Sequence, residues 1–285
     1  MPTAENDCSK NSRFLTDASD GTFSDGRIKG QIDTTELDEA SGLAASRRHP
    51  GFLYSINDHG GLPRLYVIST STARVVAVLT VAAASNGDWE DLAVGPCPGG
   101  GSCIYIGDIG DAGHKPNNVI YRVREPDDVT KDQIVPLEST LKYTWSEQDA
   151  ETLMVDREGN VFLISKVHNG KHPKLTKVPS SAWDQPIAVN LHSILTVPGL
   201  HSSKNDPVAG DISPLGTEML IKIRKHLFYW NMADGNVERA LQGKGTEVSY
   251  LPEVRGEAVA WAADGSGYYT LSEGIHEPLY FYARM

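Results

Sequence analysis

EDLAVGPCPGGGSCIYIGD, residues 90–108, reads as a strand, a tight turn and a second strand. Two short apolar runs flank a cluster of glycines, which take the positive φ that a tight reversal needs. The same grammar returns four more times, in SGLAASRRHPGFLYSIND (41–58), ETLMVDREGNVFLIS (151–165), GDISPLGTEMLIKI (210–223) and EAVAWAADGSGYYTLSE (257–273). A third apolar run follows each pair: RLYVIS, VIYRV, KLTKV, HLFYW and LYFYA. An irregular fourth comes after it in ARVVAVLTV, STLKYTW and HSILTVP. Aligning the repeats on Leu43, Leu92, Leu153, Ile212 and Val259 gives spacings of 49, 61, 59 and 47 residues. That is the period of a four-stranded propeller blade.

The two ends of the chain complete the reading. After Val259 there is room for three strands only, while RIKGQIDTT near the start is a strand without a hairpin of its own. The N-terminal strand is therefore expected to finish the last blade, which closes the ring and removes two exposed edges. The expectation is an all-β chain forming a single β-propeller over residues 27–285, preceded by a polar, flexible leader over 1–26. Five blades are counted. Six remain the alternative, because the stretch from Trp183 to Asp206 is long enough to hide one more.

Composition narrows the function classes. A chain of 285 residues with 40% hydrophobic content buries a full core without needing metal or disulfides to fold. The net charge of -11 and pI near 5.3 leave no basic footprint for nucleic acid or anionic lipid. No apolar run approaches the ~18 residues of a membrane span, and MPTAENDCSK lacks the basic start and apolar middle of a signal peptide. The protein is thus either cytosolic or the mature form of a secreted one. Cys97 and Cys103 flank the glycine cluster and are placed to bridge the neck of a hairpin, with Cys8 left over; two free thiols are the alternative. A bridge favours an extracellular setting.

In a propeller the first strand of each blade lines the central channel, so equivalent positions converge. Two residues before the aligned apolar position stand Ser41, Glu90, Glu151, Gly210 and Glu257. Like charges held this close must be paired, protonated or bound to a cation, which makes Glu90, Glu151 and Glu257 the candidate metal ligands. Asp88 and Asp149 share their parity. Near the ends of the second strands lie Asn57, Asp58, Asp108, Asp111, Lys166 and Glu273, which together with Asp88 form the candidate ligand-binding rim. A hard cation such as Ca²⁺ takes six to eight oxygens and suits such a set. The competing reading pairs the glutamates with Arg64, Lys166, Lys222, Arg224 or Arg255 in a purely structural network. Trp89, Trp230 and Trp261 read as packing residues between blades.

Other signatures fail. GDIGDAG has no helix behind it to receive a phosphate, no glutamate closes an EF-hand loop, and neither HExxH nor GxSxG occurs.

The set SGLAASRRHPG, DWEDLAVGP, YIGDIGD, YRVREP, DAETLMVD, AGDIS and GEAVAW resembles a group of largely uncharacterised secreted propellers, related to the "esterase-like activity of phytase" family, over nearly the whole span from Glu39 to Tyr282. The resemblance implies a propeller, a calcium-dependent phosphoesterase or esterase-like hydrolase, and a site near DWED and GDIGD. In that reading Ca²⁺ polarises a phosphoryl or carbonyl oxygen, and His168 or Asp108 is the candidate general base. The other reading is an extracellular module that binds a cation together with a small ligand or partner protein and performs no chemistry. Thiol labelling with intact-mass measurement, under non-reducing denaturing conditions, is expected to find one reactive cysteine, Cys8; three labelled thiols would reject the bridge.

Overall fold

The computed structural model describes residues 21–112, 118–147, 149–166, 172–200 and 206–285. Cys8 and His168 lie outside the described residues.

Each hairpin repeat forms the inner pair of an antiparallel sheet. Blade 1 holds Ala40–Ala45, Phe52–Asn57, Arg64–Ser69 and Val75–Val81, and blade 2 holds Trp89–Pro96, Ser102–Asp108, Asn118–Arg124 and Ser139–Thr144. Blade 3 comprises Ala150–Val155, Val161–Ser165, Lys174–Val178 and Leu195–Thr196; blade 4 comprises Pro207–Ile212, Glu218–Ile223, His226–Asn231 and Thr246–Glu247. Blade 5 contains Gly256–Trp261, Gly267–Ser272 and Pro278–Ala283, and Arg27–Gln31 supplies its outer strand. The inner strands pack in a closed cycle from blade 1 through blade 5 and back to blade 1. The chain is a five-bladed β-propeller.

No sixth blade exists between Trp183 and Asp206 among the described residues. The two short strands there are shared out: Val189–Asn190 pairs parallel to the outer strand of blade 2, and Leu195–Thr196 becomes the outer strand of blade 3. A similar parallel addition, Gln133–Val135, widens blade 1.

The core is divided among the blade interfaces. Five buried apolar clusters occur, one between each pair of neighbouring blades. Trp89 fills the interface of blades 1 and 2, Trp230 that of blades 3 and 4, and Trp261 that of blades 4 and 5. The bridge between Cys97 and Cys103 forms across the hairpin of blade 2, with Cα atoms 5.2 Å apart.

Ring closure follows the N-terminal strand. Arg27 pairs with Phe281, Ile28 with Tyr280, Gly30 with Leu279 and Gln31 with Pro278. Packing begins earlier than residue 27: Phe23, inside the segment read as leader, pairs with Arg284 and is buried against Tyr229, Trp261 and Tyr268. Its ring centroid lies 4.8 Å from that of Tyr268 in an edge-to-face contact. This one side chain seals the interface of blades 4 and 5. Phe23→Ala is expected to lower the unfolding free energy by about 3 kcal/mol in chemical denaturation; a loss below about 1 kcal/mol would show that the segment before residue 27 does not hold the ring.

Candidate functional site at the channel mouth

The inner strand of every blade contains one extra residue. Pairing with the second strand skips Gly42, Glu90, Glu151, Val208 and Glu257 in the five blades in turn. A β-bulge of this kind leaves one side chain outside the alternation and aims it away from the ladder. Parity therefore flips across the bulge: Trp89, Leu92 and Val94 share one interface, as do Ala150, Leu153 and Val155. The bulges also correct the alignment read from sequence. Gly42 rather than Ser41, and Val208 rather than Gly210, are the true counterparts of the three glutamates. Gly42 has φ +75°, and a Cβ there would stand 2.8 Å from an Asp91 carboxylate oxygen, so blade 1 can carry no acid at this level.

Glu90, Glu151 and Glu257 open into a cavity of about 500 Å³ at the end of the channel where the inner strands begin. Of the rim residues expected from sequence, Asp58, Asp88, Asp111, Lys166 and Glu273 line this cavity, and Asp149, His59, Arg224 and Arg255 join them. Eight carboxylates thus face three permanent cations. Asn57 and Asp108 are placed elsewhere. Asn57 donates to the Glu36 carbonyl and accepts from the Glu39 amide, holding its own loop. Asp108 accepts from the amides of Gly87 and Asp88 at 3.2 and 2.9 Å, shaping the turn that presents Asp88.

The acids fall into distinct groups. Carboxylate oxygens of Asp58, Asp88 and Glu90 lie within 4.8 Å of one another, and so do those of Glu90, Asp149 and Glu151. The three bulge glutamates therefore do not form one ligand set: Glu90 is shared by two groups and Glu257 belongs to neither. Lys166 sits on the second group, paired with Glu151 and 3.6 Å from Asp149. Arg224 approaches Glu257 at 3.8 Å and Arg255 approaches Glu273 at 3.2 Å. Of the other cations weighed from sequence, Lys222 faces Glu253, with its charge also reaching Glu257, and Arg64 pairs with Glu36.

The first group is left without a lysine or arginine within 4 Å among the described residues; its one basic neighbour is His59, 3.4 Å from Asp88. Asp58 Oδ1 and Glu151 Oε2 are buried with no hydrogen-bond partner among the described residues.

Local sequence explains how the group is assembled. Asn86 donates to the carbonyls of Asn57 and Asp58 at 2.9 and 2.6 Å, tying the end of blade 1 to blade 2. Asp88 accepts from the Ala112 amide at 2.6 Å. Gly110, in the middle of GDIGD, is the residue that makes room: a Cβ there would overlap the carboxylates of both Asp88 and Glu90. Asn86 and Gly110 were not singled out from sequence, where nothing but their neighbourhood to the acids marks them.

Crowding shows in the proton affinities. Burial, then the nearby Glu151 and Asp58 charges, push the Glu90 carboxyl well above the ordinary range. Asp58 rises to about 6 through burial and the charges of Asp88 and Glu273. Burial lifts Glu151 to about 7 against the opposing pull of Lys166. Glu257 rises to about 8 through burial and the neighbouring Glu273 carboxylate. Lys166 is pulled down by burial, but the carboxylates of Glu151, Glu90 and Asp149 more than offset this and shift it upward. A cation arriving at the mouth would replace those protons.

No protein-family model and no curated protein matches the chain. Among solved structures, the PQQ-bound aldose sugar dehydrogenase of Streptomyces coelicolor is similar, with a TM-score of 0.54 and 12% identity over 93% of this chain and 99% of the other. The apo form of the soluble aldose sugar dehydrogenase of Escherichia coli is similar too, with a TM-score of 0.53 and 12% identity over 92% and 99%. At this identity the likeness is one of fold, and both support a propeller. Among the described residues no helix is long and apolar enough to cross a membrane.

A raised folded pKa means that the folded chain holds protons the unfolded chain has released, so stability falls as pH climbs between the two values. For Glu257 that window runs from 4.5 to about 8. In the absence of divalent cations the melting temperature is expected to fall across this window, and Glu257→Gln is expected to flatten the fall. An unchanged slope in the variant would mean that Glu257 is already ionised in the folded protein.

Proposed function

We propose that the protein is an extracellular binding module whose acidic channel mouth takes up Ca²⁺ and, on it, a small ligand or partner. The observation that carries this reading is the group of Asp58, Asp88 and Glu90: three converging carboxylates with, among the described residues, no lysine or arginine within 4 Å and one buried oxygen lacking a hydrogen-bond partner. The donor set suits a hard cation, which draws on carboxylate and carbonyl oxygens and on water. A purely structural ion-pair network accounts for Glu151 with Lys166, whose charge also reaches Glu90, but it places no lysine or arginine within 4 Å of the first group among the described residues. Arg224 and Arg255, with side chains 54% and 69% exposed, give the same mouth a solvent-facing polar rim for an organic ligand. The disulfide fits an oxidising compartment.

The calcium-dependent hydrolase implied by the resemblance would use the same ion. Binding is preferred because Asp108, one of its two candidate bases, spends its carboxylate on backbone amides away from the cavity. The quinone cofactor named for the Streptomyces dehydrogenase is a poorer fit to this mouth, since PQQ is itself a polycarboxylic acid and eight carboxylates would repel it.

At a hundredfold excess over its dissociation constant, Ca²⁺ is expected to stabilise the fold by about 2.7 kcal/mol, so that chelation lowers the melting temperature. Glu90→Gln should abolish most of this response. Glu151→Gln, which breaks the pair with Lys166, should lower stability while leaving much of the calcium response in place. Identical melting curves in calcium and in chelator would sink the metal site.

A further inference from the structure

All five inner strands run in the same direction, so the residues at their exits gather at the end of the channel opposite the acidic mouth. The exit residues Arg47, Pro96, Arg157 and Ser213 stand five or six positions beyond the bulge, so the two ends lie roughly 16–20 Å apart. At the exit end there is a second cavity, of about 260 Å³, built from blade 1 (Arg47), blade 2 (Val94–Pro96, Gly101 and Ser102), blade 3 (Val155–Arg157) and blade 4 (Ser213 and Pro214). Its charged side chains are Arg47, Arg157 and Asp156. Asp156 is spent internally: its carboxylate accepts from the amides of Glu158 and Asn160 and from the Asn160 side chain, closing the turn of blade 3. Two arginines against this one carboxylate leave the lining with one net positive charge.

Both arginines are held by the fold. The Arg47 backbone amide donates to Glu125 at 3.3 Å, and Glu125 is itself buried and tied to Ser46, Tyr54, Arg48 and Ser102. Arg157 lies across Gly216, where a Cβ would come within 2.6 Å of the arginine Cδ, and it donates to the Leu215 carbonyl at 3.3 Å. Neither arginine has a carboxylate within 4 Å among the described residues, and Nη1 of Arg47 is buried without a hydrogen-bond partner among them. A buried guanidinium N–H without an acceptor is costly, and a planar fork of such donors matches the oxygens of an oxyanion.

We propose that this opposite mouth is an anion-binding site, in which Arg47 and Arg157 clamp a small oxyanion of the phosphate or carboxylate class. The space accommodates a single such group with its hydration. The competing role for Arg47 is to offset the buried Asp211 carboxylate, which its charge also reaches; that role requires no ligand and does not involve Arg157.

The test uses the full chain, with inorganic phosphate as probe, in chelator so that no calcium at the acidic mouth can recruit it. Calorimetric titration and melting curves are expected to show saturable binding with stabilisation, beyond that of sodium chloride at matched ionic strength. Arg157→Met, on an exposed turn, should weaken binding by about tenfold or more, the loss of a charge-assisted contact, while Glu90→Gln should leave it unchanged. Sodium acetate in place of phosphate reports whether a carboxylate suffices. The proposal is overturned if phosphate acts no differently from chloride, or if Arg157→Met binds phosphate as the parent does. A fall in binding with Glu90→Gln would move the anion to the acidic mouth and equally reject this site. If Arg47→Met destabilises the chain and phosphate has no effect on either protein, Arg47 serves only as the partner of Asp211.

Discussion

The inner strand of each blade is a sheet edge, and five such edges must face one another around an axis without pairing. An edge strand presents amides that no neighbouring strand satisfies, and inside a closed ring water is a poor substitute. This chain meets that constraint with two buried carboxylates. Asp91 accepts from its own blade's Leu92 amide, from Leu153 in blade 3 at 2.9 Å and from Gly210 in blade 4 at 3.2 Å. Asp211 in blade 4 accepts from the Trp261 amide in blade 5 at 2.8 Å. Burial raises both carboxyls above the ordinary range, with the backbone amides pulling the other way. These bonds tie the inner strands of blades 2, 3, 4 and 5 to one another at fixed heights, and the Ser41 hydroxyl, donating to the Glu90 carbonyl at 2.5 Å, ties blade 1 to blade 2. Everything at either mouth depends on that registration.

The bulge is the second consequence of the same crowding. Placing an extra residue just inside the entrance of each inner strand turns one side chain per blade out of the ladder. Where that residue is Glu, the turn delivers a carboxylate into the cavity; where it is Gly42, there is room for the Asp91 side chain next door. The fold thus separates acids one residue apart into different trades: Asp91 binds the ring together and Glu90 faces the cavity. The cost is visible in the pKa values. Buried like charges at the mouth raise one another, and a chain selected for stability alone would have little reason to keep Asp58, Asp88 and Glu90 converging on a Gly110 that makes room for them.

Much of this was legible in the sequence. The repeat period, the glycine turns, the closing N-terminal strand, the disulfide and the convergence of Glu90, Glu151 and Glu257 on one cavity all follow from local patterns with a mechanical meaning. The misaligned positions come from the apolar anchors: counting back two residues from Leu43 and Ile212 reaches Ser41 and Gly210, whereas the bulge lies one residue before Leu43 and four before Ile212. Asn57 and Asp108 carry the right chemistry at the right height, yet hydrogen bonds to backbone groups fix them out of the cavity, and no spacing rule reports that. Packing of Phe23 was hidden by the polar residues around it, because a single aromatic contact has no period. His59 comes to the mouth by a loop.

A propeller converts position along a strand into height along an axis, and it does so identically in every blade because all inner strands run the same way. Residue types scattered tens of residues apart in sequence are sorted into rings, each with its own composition. Acids stand at strand entrances in blades 2, 3 and 5. Apolar residues and the two staple carboxylates fill the middle. At the exits, Arg47 and Arg157 each stand two residues past the inner strands of blades 1 and 3. The net charge of -11 conceals this polarity, since it averages over the ends of the channel. Two mouths of opposite sign, separated by a packed core, present different faces to charged molecules in the surrounding solution. A cation drawn to one end is repelled from the other, so the ring can discriminate by orientation as well as by contact.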